Sequence, residues 1–181
     1  MPVLVDIKRQ LEITNEDWDD ILNDIISRVF SQADIKMRLR YSLVTGYTQY
    51  WDGGKKTLYF DYVNVRDCVI TDEVDEIDLI EGRDEDYVIY PERGYMKSVA
   101  DTFHEGYRSI KAVYNGGYGE DDYPMELRSA LIKQIIHEFR RRKDSGLNSV
   151  QYPDGSVNKF IIDDWLTDVA AILRMHSRTW F

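Results

Sequence analysis

RSIKAVYNGGYGEDDYPMELRSALIKQIIHEFRRRK, running from Arg108 to Lys143, is the stretch on which the reading of this chain turns. It begins with a short apolar run, Ile110, Ala112, Val113 and Tyr114, and breaks at the glycine-rich loop Asn115 to Gly119. After three acidic residues, Tyr123 and Pro124 it re-enters as a long helical pattern. A strand that ends at paired glycines and resumes as a proline-started helix marks a change of structure type. Asp121 and Asp122 are placed to accept from free amides at the helix start, and Pro124 suits a first turn, where its missing N–H would have no partner. Leu127, Leu131, Ile132, Ile135, Ile136 and Phe139 recur at helical spacing over about half the circumference, wider than an ordinary amphipathic stripe, which predicts neighbours on two sides. Arg140 to Lys143 stand at the negative pole of the helix, and Gly146 stops it.

Working back toward the N-terminus, the pattern is sheet and then helix. Tyr47 to Trp51, Asp52-Gly53-Gly54-Lys55 and Thr57 to Phe60 predict a hairpin, since glycines permit the positive φ of a tight reversal. Further strands are expected over Val63 to Ile70, Glu76 to Ile80, Asp86 to Tyr90 and Tyr95 to Val99, the last two joined by Pro91-Glu92-Arg93-Gly94. Before them, Trp18, Ile21, Leu22, Ile25, Ile26, Val29, Phe30 and Ala33 follow the helical template behind a Thr14-Asn15-Glu16-Asp17 start. A shorter helix covers Val3 to Ile13.

Beyond the central helix, Asp144 to Phe160 reads as a polar loop with a Pro153-Asp154-Gly155 turn, and a last helix runs from about Ile162 to His176. The expected fold is α+β: a small helical bundle of long N-terminal, central and C-terminal helices with an inserted antiparallel β region. It forms one domain over residues 1–181, with N-terminal helices in 1–40, the β region in 41–115 and a helical part with a C-terminal tail in 120–181.

Composition narrows the function. With 181 residues, 43% of them apolar and 13% aromatic, the chain can bury a core without metals or disulfides. A net charge of −10 argues against holding DNA by broad phosphate neutralisation. One cysteine, Cys68, excludes an internal disulfide and a Cys-rich zinc site and fits a reducing compartment. With no leader pattern and no long apolar run, the chain is expected to be soluble and made in the cytosol.

The candidate chemistry is sparse. Asp72, Glu73, Asp75, Glu76 and Asp78 lack the register of a calcium loop and read as a solvated acidic edge that discourages strand pairing. His137-Glu138 is half of a zinc-protease helix, but the residue four after His137 is Arg141. Gly116-Gly117-Tyr118-Gly119 precedes a helix like a phosphate cradle, yet Glu120, Asp121 and Asp122 would repel phosphate. Cys68 reads as a packed thiol, and His104, His137 and His176 lie on separate elements. No catalytic, cofactor-binding or metal-binding residue is assigned, and no cofactor or enzymatic activity is expected. Two features carry a docking reading beside a bland one: the basic run Arg140, Arg141, Arg142 and Lys143 is a solvated helix end favoured by its dipole or a docking patch for an acidic partner or nucleic acid, and the terminal aromatics Trp180 and Phe181 anchor in a partner's pocket or fold back on the chain's own core.

The order of these elements resembles that of the head-tail connector proteins of long-tailed bacteriophages, also called adaptor or head-completion proteins. The resemblance rests on Asp17 to Ile26, Tyr50 to Gly54, Asp86 to Gly94, and Tyr107 to Lys111 leading through Tyr114 and Gly117-Tyr118 to Pro124-Met125-Glu126-Leu127. It covers nearly the whole chain. The end departs from the family pattern, with His176, Arg178 and Thr179-Trp180-Phe181 in place of a Tyr-Arg-like close.

The resemblance implies a structural virion protein at the head-tail neck. Copies would form a homo-oligomeric ring, a dodecamer, below the portal, joining the DNA-filled head to the tail and extending the channel. Partners would be the portal protein and the next connector, stopper or tail protein, with DNA passing without sequence-specific binding. Residues implied for contact with the portal or a neighbouring subunit are Arg140, Arg141, Arg142, Lys143, Arg174, Arg178, Trp180 and Phe181. The alternatives are another phage neck or tail-completion (stopper) protein and, from a different class, a small metal-dependent hydrolase using Asp72 to Asp78.

Overall fold

The computed structural model describes residues 2–119, 122–142, 149–151, 157–159 and 165–177. The chain divides into two compact units, Arg38–Asp122 on the one hand and Met1–Met37 with Tyr123–Phe181 on the other.

The Arg38–Asp122 unit is a β structure with its own core. Seven strands, β1 (Val44–Trp51), β2 (Thr57–Tyr59), β3 (Arg66–Asp72), β4 (Ile77–Leu79), β5 (Tyr87–Tyr90), β6 (Tyr95–Ser98) and β7 (Ile110–Gly116), form two antiparallel sheets. Their orders are β1-β7-β3-β4 and β2-β6-β5. β7 alternates as its sequence predicts: Ile110, Ala112 and Tyr114 are buried while Val113 faces outward. Those three join Leu58, Phe60, Tyr62, Val65, Ile70, Tyr87, Met96 and Phe103 in one apolar cluster fed by both sheets.

β7 is straddled by two irregularities. Its pairing with β1 shifts between Val44 and Tyr47, and its pairing with β3 shifts between Arg66 and Val69. The Asn115 side chain serves both: its Oδ1 accepts from the Gly46 amide at 2.8 Å and its Nδ2 donates to Asp67 at 2.9 Å. Gly46 and Asp67 are the positive-φ residues of these bulges, at 62° and 47°.

The predicted β1–β2 hairpin does not form. β1 pairs with β7 and β2 with β6, in different sheets. The Gly53 and Gly54 amides instead donate to the Gly106 and Phe103 carbonyls, both at 3.0 Å, so the paired glycines dock against a distant loop. Side chains finish the outer edge of β1: the Trp51 indole and Gln49 Nε2 donate to the Tyr59 carbonyl at 2.9 and 3.1 Å. Gln49 Oε1 also accepts from Tyr114 and from the Asp61 amide, at 2.8 and 2.9 Å. The Pro91 to Gly94 turn does join β5 to β6, with Gly94 in the left-handed region at φ 63°.

The other unit contains four helices, α1 (Pro2–Leu11), α2 (Asp19–Met37), α3 (Met125–Arg141) and α4 (Thr167–Met175), and two short strands, β8 (Ser149–Gln151) and β9 (Val157–Lys159). β8 and β9 pair antiparallel where the sequence predicts a polar loop; the Pro153-Asp154-Gly155 turn and Gly146 lie outside the described residues. α2 buries Leu22, Ile25, Val29, Ala33 and Met37, its predicted stripe extended by one turn. α3 buries eight residues from Leu127 to Phe139 and packs against α1, α2 and α4, so its wide apolar face is consumed within its own chain. Pro124 occupies the N-cap position, and no side chain caps the helix. The Pro124 carbonyl accepts the Arg128 amide at 2.9 Å as the first bond of the helix, the predicted capping by Asp122 does not form, and Asp121 lies outside the described residues.

The expectation of a small helical bundle carrying an inserted β region is therefore corrected. Among the described residues nine strands form, seven of them in two antiparallel sheets with a core of their own and two in a separate pair, beside four helices. The physical reason lies in the core. Two sheets that bury Phe60, Ile70, Met96, Ile110 and Tyr114 against one another make a self-sufficient structure, whereas an insertion would lean on the helices for burial.

Candidate functional site

The basic end of α3 is less uniform than its sequence. Arg140 is exposed. Arg141 is half-buried, its Nη1 3.4 Å from His137 Nε2, one turn back. Arg142 stacks over Trp18 and Phe139 at 4.4 and 3.7 Å from the ring centroids and donates to the Phe139 carbonyl at 2.5 Å. It thus closes its own helix end and packs on Trp18, which itself meets Phe139 edge-on at 5.8 Å. Arg174 is exposed in the last turn of α4. Lys143, Arg178, Trp180 and Phe181 lie outside the described residues.

α4 is fixed to α3 by a polar side chain. Gln134 is fully buried among apolar neighbours; its Oε1 accepts from the Leu166 amide at the start of α4 at 3.0 Å, and its Nε2 donates to Glu138 at 3.2 Å. Glu138 in turn pairs with Arg28 of α2 at 2.7 Å. On the exposed side Lys133 bonds Asp168, which holds that carboxyl below its ordinary range.

The glycine loop after β7 spends its amides internally. Gly117 N–H donates to the Val63 carbonyl at 2.6 Å and Tyr118 N–H to the Tyr41 carbonyl at 2.8 Å. A Cβ on Gly117 would lie 2.0 Å from the Ser42 carbonyl oxygen, so the backbone passes too closely for any other residue. With those donors engaged the loop has no phosphate cradle to offer. Cys68 is half-buried, its thiol pushed up to about 12 by burial and by Glu81. It is a poor nucleophile at neutral pH.

The acidic turn after β3 holds an arrangement that spacing along the chain does not reveal. Asp72, the last residue of β3, is buried, and its Oδ1 accepts from the Val74 and Asp75 amides at 2.9 and 3.4 Å. Its Oδ2 lies 3.2 Å from His104 Nδ1, and Asp75 Oδ2 lies 3.5 Å from the same nitrogen. The three donor atoms fall within 4.8 Å of one another. His104 arrives from the β6–β7 connection, held because buried Ser109 donates to the His104 carbonyl at 2.8 Å while Gly53 and Gly54 grip its neighbours. The expected solvated acidic edge thus includes one buried carboxylate facing a histidine 32 residues away. Only the Gly53-Gly54 pair signals, in sequence, that a second backbone must approach here.

A second feature is a row of tyrosines across the smaller sheet. Tyr59, Tyr95 and Tyr90 occupy matched register positions on β2, β6 and β5. Tyr95 stacks on Tyr90 at 4.7 Å and meets Tyr59 at 5.9 Å, with the Lys97 ammonium 5.7 Å from the Tyr95 ring. Among the described residues no helix is long and apolar enough to cross a membrane. In comparisons with known proteins, no family model and no curated protein matches this chain.

Proposed function

We propose that this chain is a structural virion protein of the head-tail neck, forming a ring below the portal that joins the DNA-filled head to the tail and extends the DNA channel. The observation that carries this reading is the order of its motifs along the chain. Asp17 to Ile26 starts α2, Tyr50 to Gly54 closes β1 on the 103–106 loop, Asp86 to Gly94 is β5 with its turn, and Tyr107 to Leu127 runs from β7 into α3.

The surface of the helical unit supports the reading. Ile35, Met125 and Met175 leave large apolar side chains 75, 82 and 77% exposed, and Arg140 and Arg174 are exposed at two helix ends. Exposed apolar groups and exposed cations on one unit suit a neighbouring subunit or an acidic portal surface. A heterologous contact repeated by rotation closes into a ring. The net charge of −10 suits a channel component that must let phosphates pass without retaining them. The role is structural, with the portal and the next connector, stopper or tail protein as partners.

The test is deletion of the gene from the phage or prophage that carries it, followed by electron microscopy of the lysate. Separate heads losing DNA beside finished, unattached tails are expected. Intact infectious particles would overturn the assignment.

A further inference from the structure

We infer that Asp72, Asp75 and His104 form a binding site for a divalent transition-metal ion of the zinc class, which ties the β3–β4 turn to the β6–β7 connection. The donor set is mixed, one imidazole nitrogen with two carboxylate oxygens. An imidazole donor favours zinc, cobalt or nickel over calcium and magnesium, which take oxygen ligands. Two of the three donor pairs have the spacing of the ion, and the third, between the two carboxylate oxygens, lies within 4.8 Å. Ligands about 2.0–2.1 Å from a tetrahedral centre stand roughly 3.3–3.4 Å apart, and His104 Nδ1 lies 3.2 Å from Asp72 Oδ2 and 3.5 Å from Asp75 Oδ2.

The alternative chemistry, a plain hydrogen bond, serves the arrangement less well. A single Nδ1–H shared between two carboxylates satisfies neither fully, and the Asp72 side chain is only 7% exposed. A divalent cation in place of that proton meets all three donors and neutralises both carboxylates. The scaffold is set in advance: Asp72 Oδ1 is committed to the turn amides, leaving Oδ2 toward the histidine, and Ser109 fixes the His104 backbone. Asp75 and His104 are 60 and 40% exposed on their side chains, so the ion would be reachable and would keep a water in its fourth position. The site needs only residues of the β unit, so it stands or falls apart from the neck assignment.

The full chain, freed of metal with a chelator, is titrated with Co²⁺ while its visible absorption is followed, and Zn²⁺ is then added in competition. One Co²⁺ per chain with a tetrahedral absorption band, displaced by Zn²⁺, is expected. So is a melting temperature that rises with Zn²⁺ and not with Ca²⁺. His104→Ala removes an exposed ring and is expected to weaken binding by at least about tenfold and abolish the thermal shift. Asp75→Asn, likewise on an exposed side chain, is expected to act in the same direction, and both variants leave the Asp72 side chain and its bonds to the turn amides in place. No saturable binding, or binding unchanged in His104→Ala, would overturn the proposal and leave a hydrogen-bonded histidine between two carboxylates.

Discussion

Gly53 and Gly54 are adjacent and identical, yet different forces hold them. A Cβ on Gly53 would lie 1.6 Å from the His104 carbonyl oxygen and 2.5 Å from Ser109 Oγ, an overlap that can be relieved only by displacing backbone. At Gly54 the backbone has φ 74°, but the nearest atom to an added Cβ is Glu105 Cγ at 3.4 Å. Gly53→Ala is therefore expected to cost about 3 kcal/mol or more by breaking the dock with the 103–106 loop, and Gly54→Ala about 1–2 kcal/mol of left-handed strain. Urea unfolding at constant slope measures both; equal, small losses would refute the distinction. The pair is legible in sequence as a site of special backbone. That its purpose is close approach and not a hairpin turn depends on which chain lies opposite, and local sequence carries no record of that.

At the scale of elements, Gln134 decides how α4 meets α3. Its spacing places it on the apolar face of α3, where the reading of hydrophobic periodicity passes over it because it is polar. Buried there, it supplies the acceptor that the start of α4 lacks, since Leu166 at the N-cap position offers no side-chain oxygen. Gln134→Leu preserves volume while leaving the Leu166 amide without its acceptor, at an expected cost of about 1–3 kcal/mol. Faster hydrogen exchange at Leu166 in that variant is the accompanying signature; unchanged exchange would show that the bond is not what seats α4. The same scale explains the basic run. Four consecutive cations suggest a single patch, but helical geometry turns Arg142 onto Trp18 and Phe139 while Arg140 faces water. α2, α3 and the strand at β7 were readable from periodicity because each has one buried face of its own. The β1–β2 pairing was misread because two strands joined by glycines predict a hairpin only when neither has a better partner, and β7 and β6 are better partners.

For the molecule as a whole, the β unit concentrates groups that resist ionisation. Burial raises the Cys68 thiol to about 12 and likewise raises the Tyr87 and Tyr114 phenols above their ordinary value. Each therefore holds its proton longer folded than unfolded, so at alkaline pH the unfolded chain binds fewer protons and stability falls as pH rises. The contribution is intact below the thiol's ordinary value of 9.0 and is lost progressively above it. The expected result is a urea midpoint that declines steadily from about pH 9 upward; a midpoint that holds through that window would contradict the shielding of these groups from water in the folded chain. Cys68→Val is expected to remove part of the decline, since valine fills the space and has no proton to lose. What the sequence by itself determined is every feature set by neighbours a few residues apart: the stripes of α2 and α3, the alternation of β7, the Pro91 to Gly94 turn and the break between Tyr114 and Pro124. Only the tertiary structure decided that the strands sort into two sheets with a core of their own, that Gly53 meets His104, and that Asp72 meets a histidine 32 residues away. Period and turn chemistry act along the chain, whereas strand partnership and burial are settled by competition among all segments at once, and that competition has no local signature.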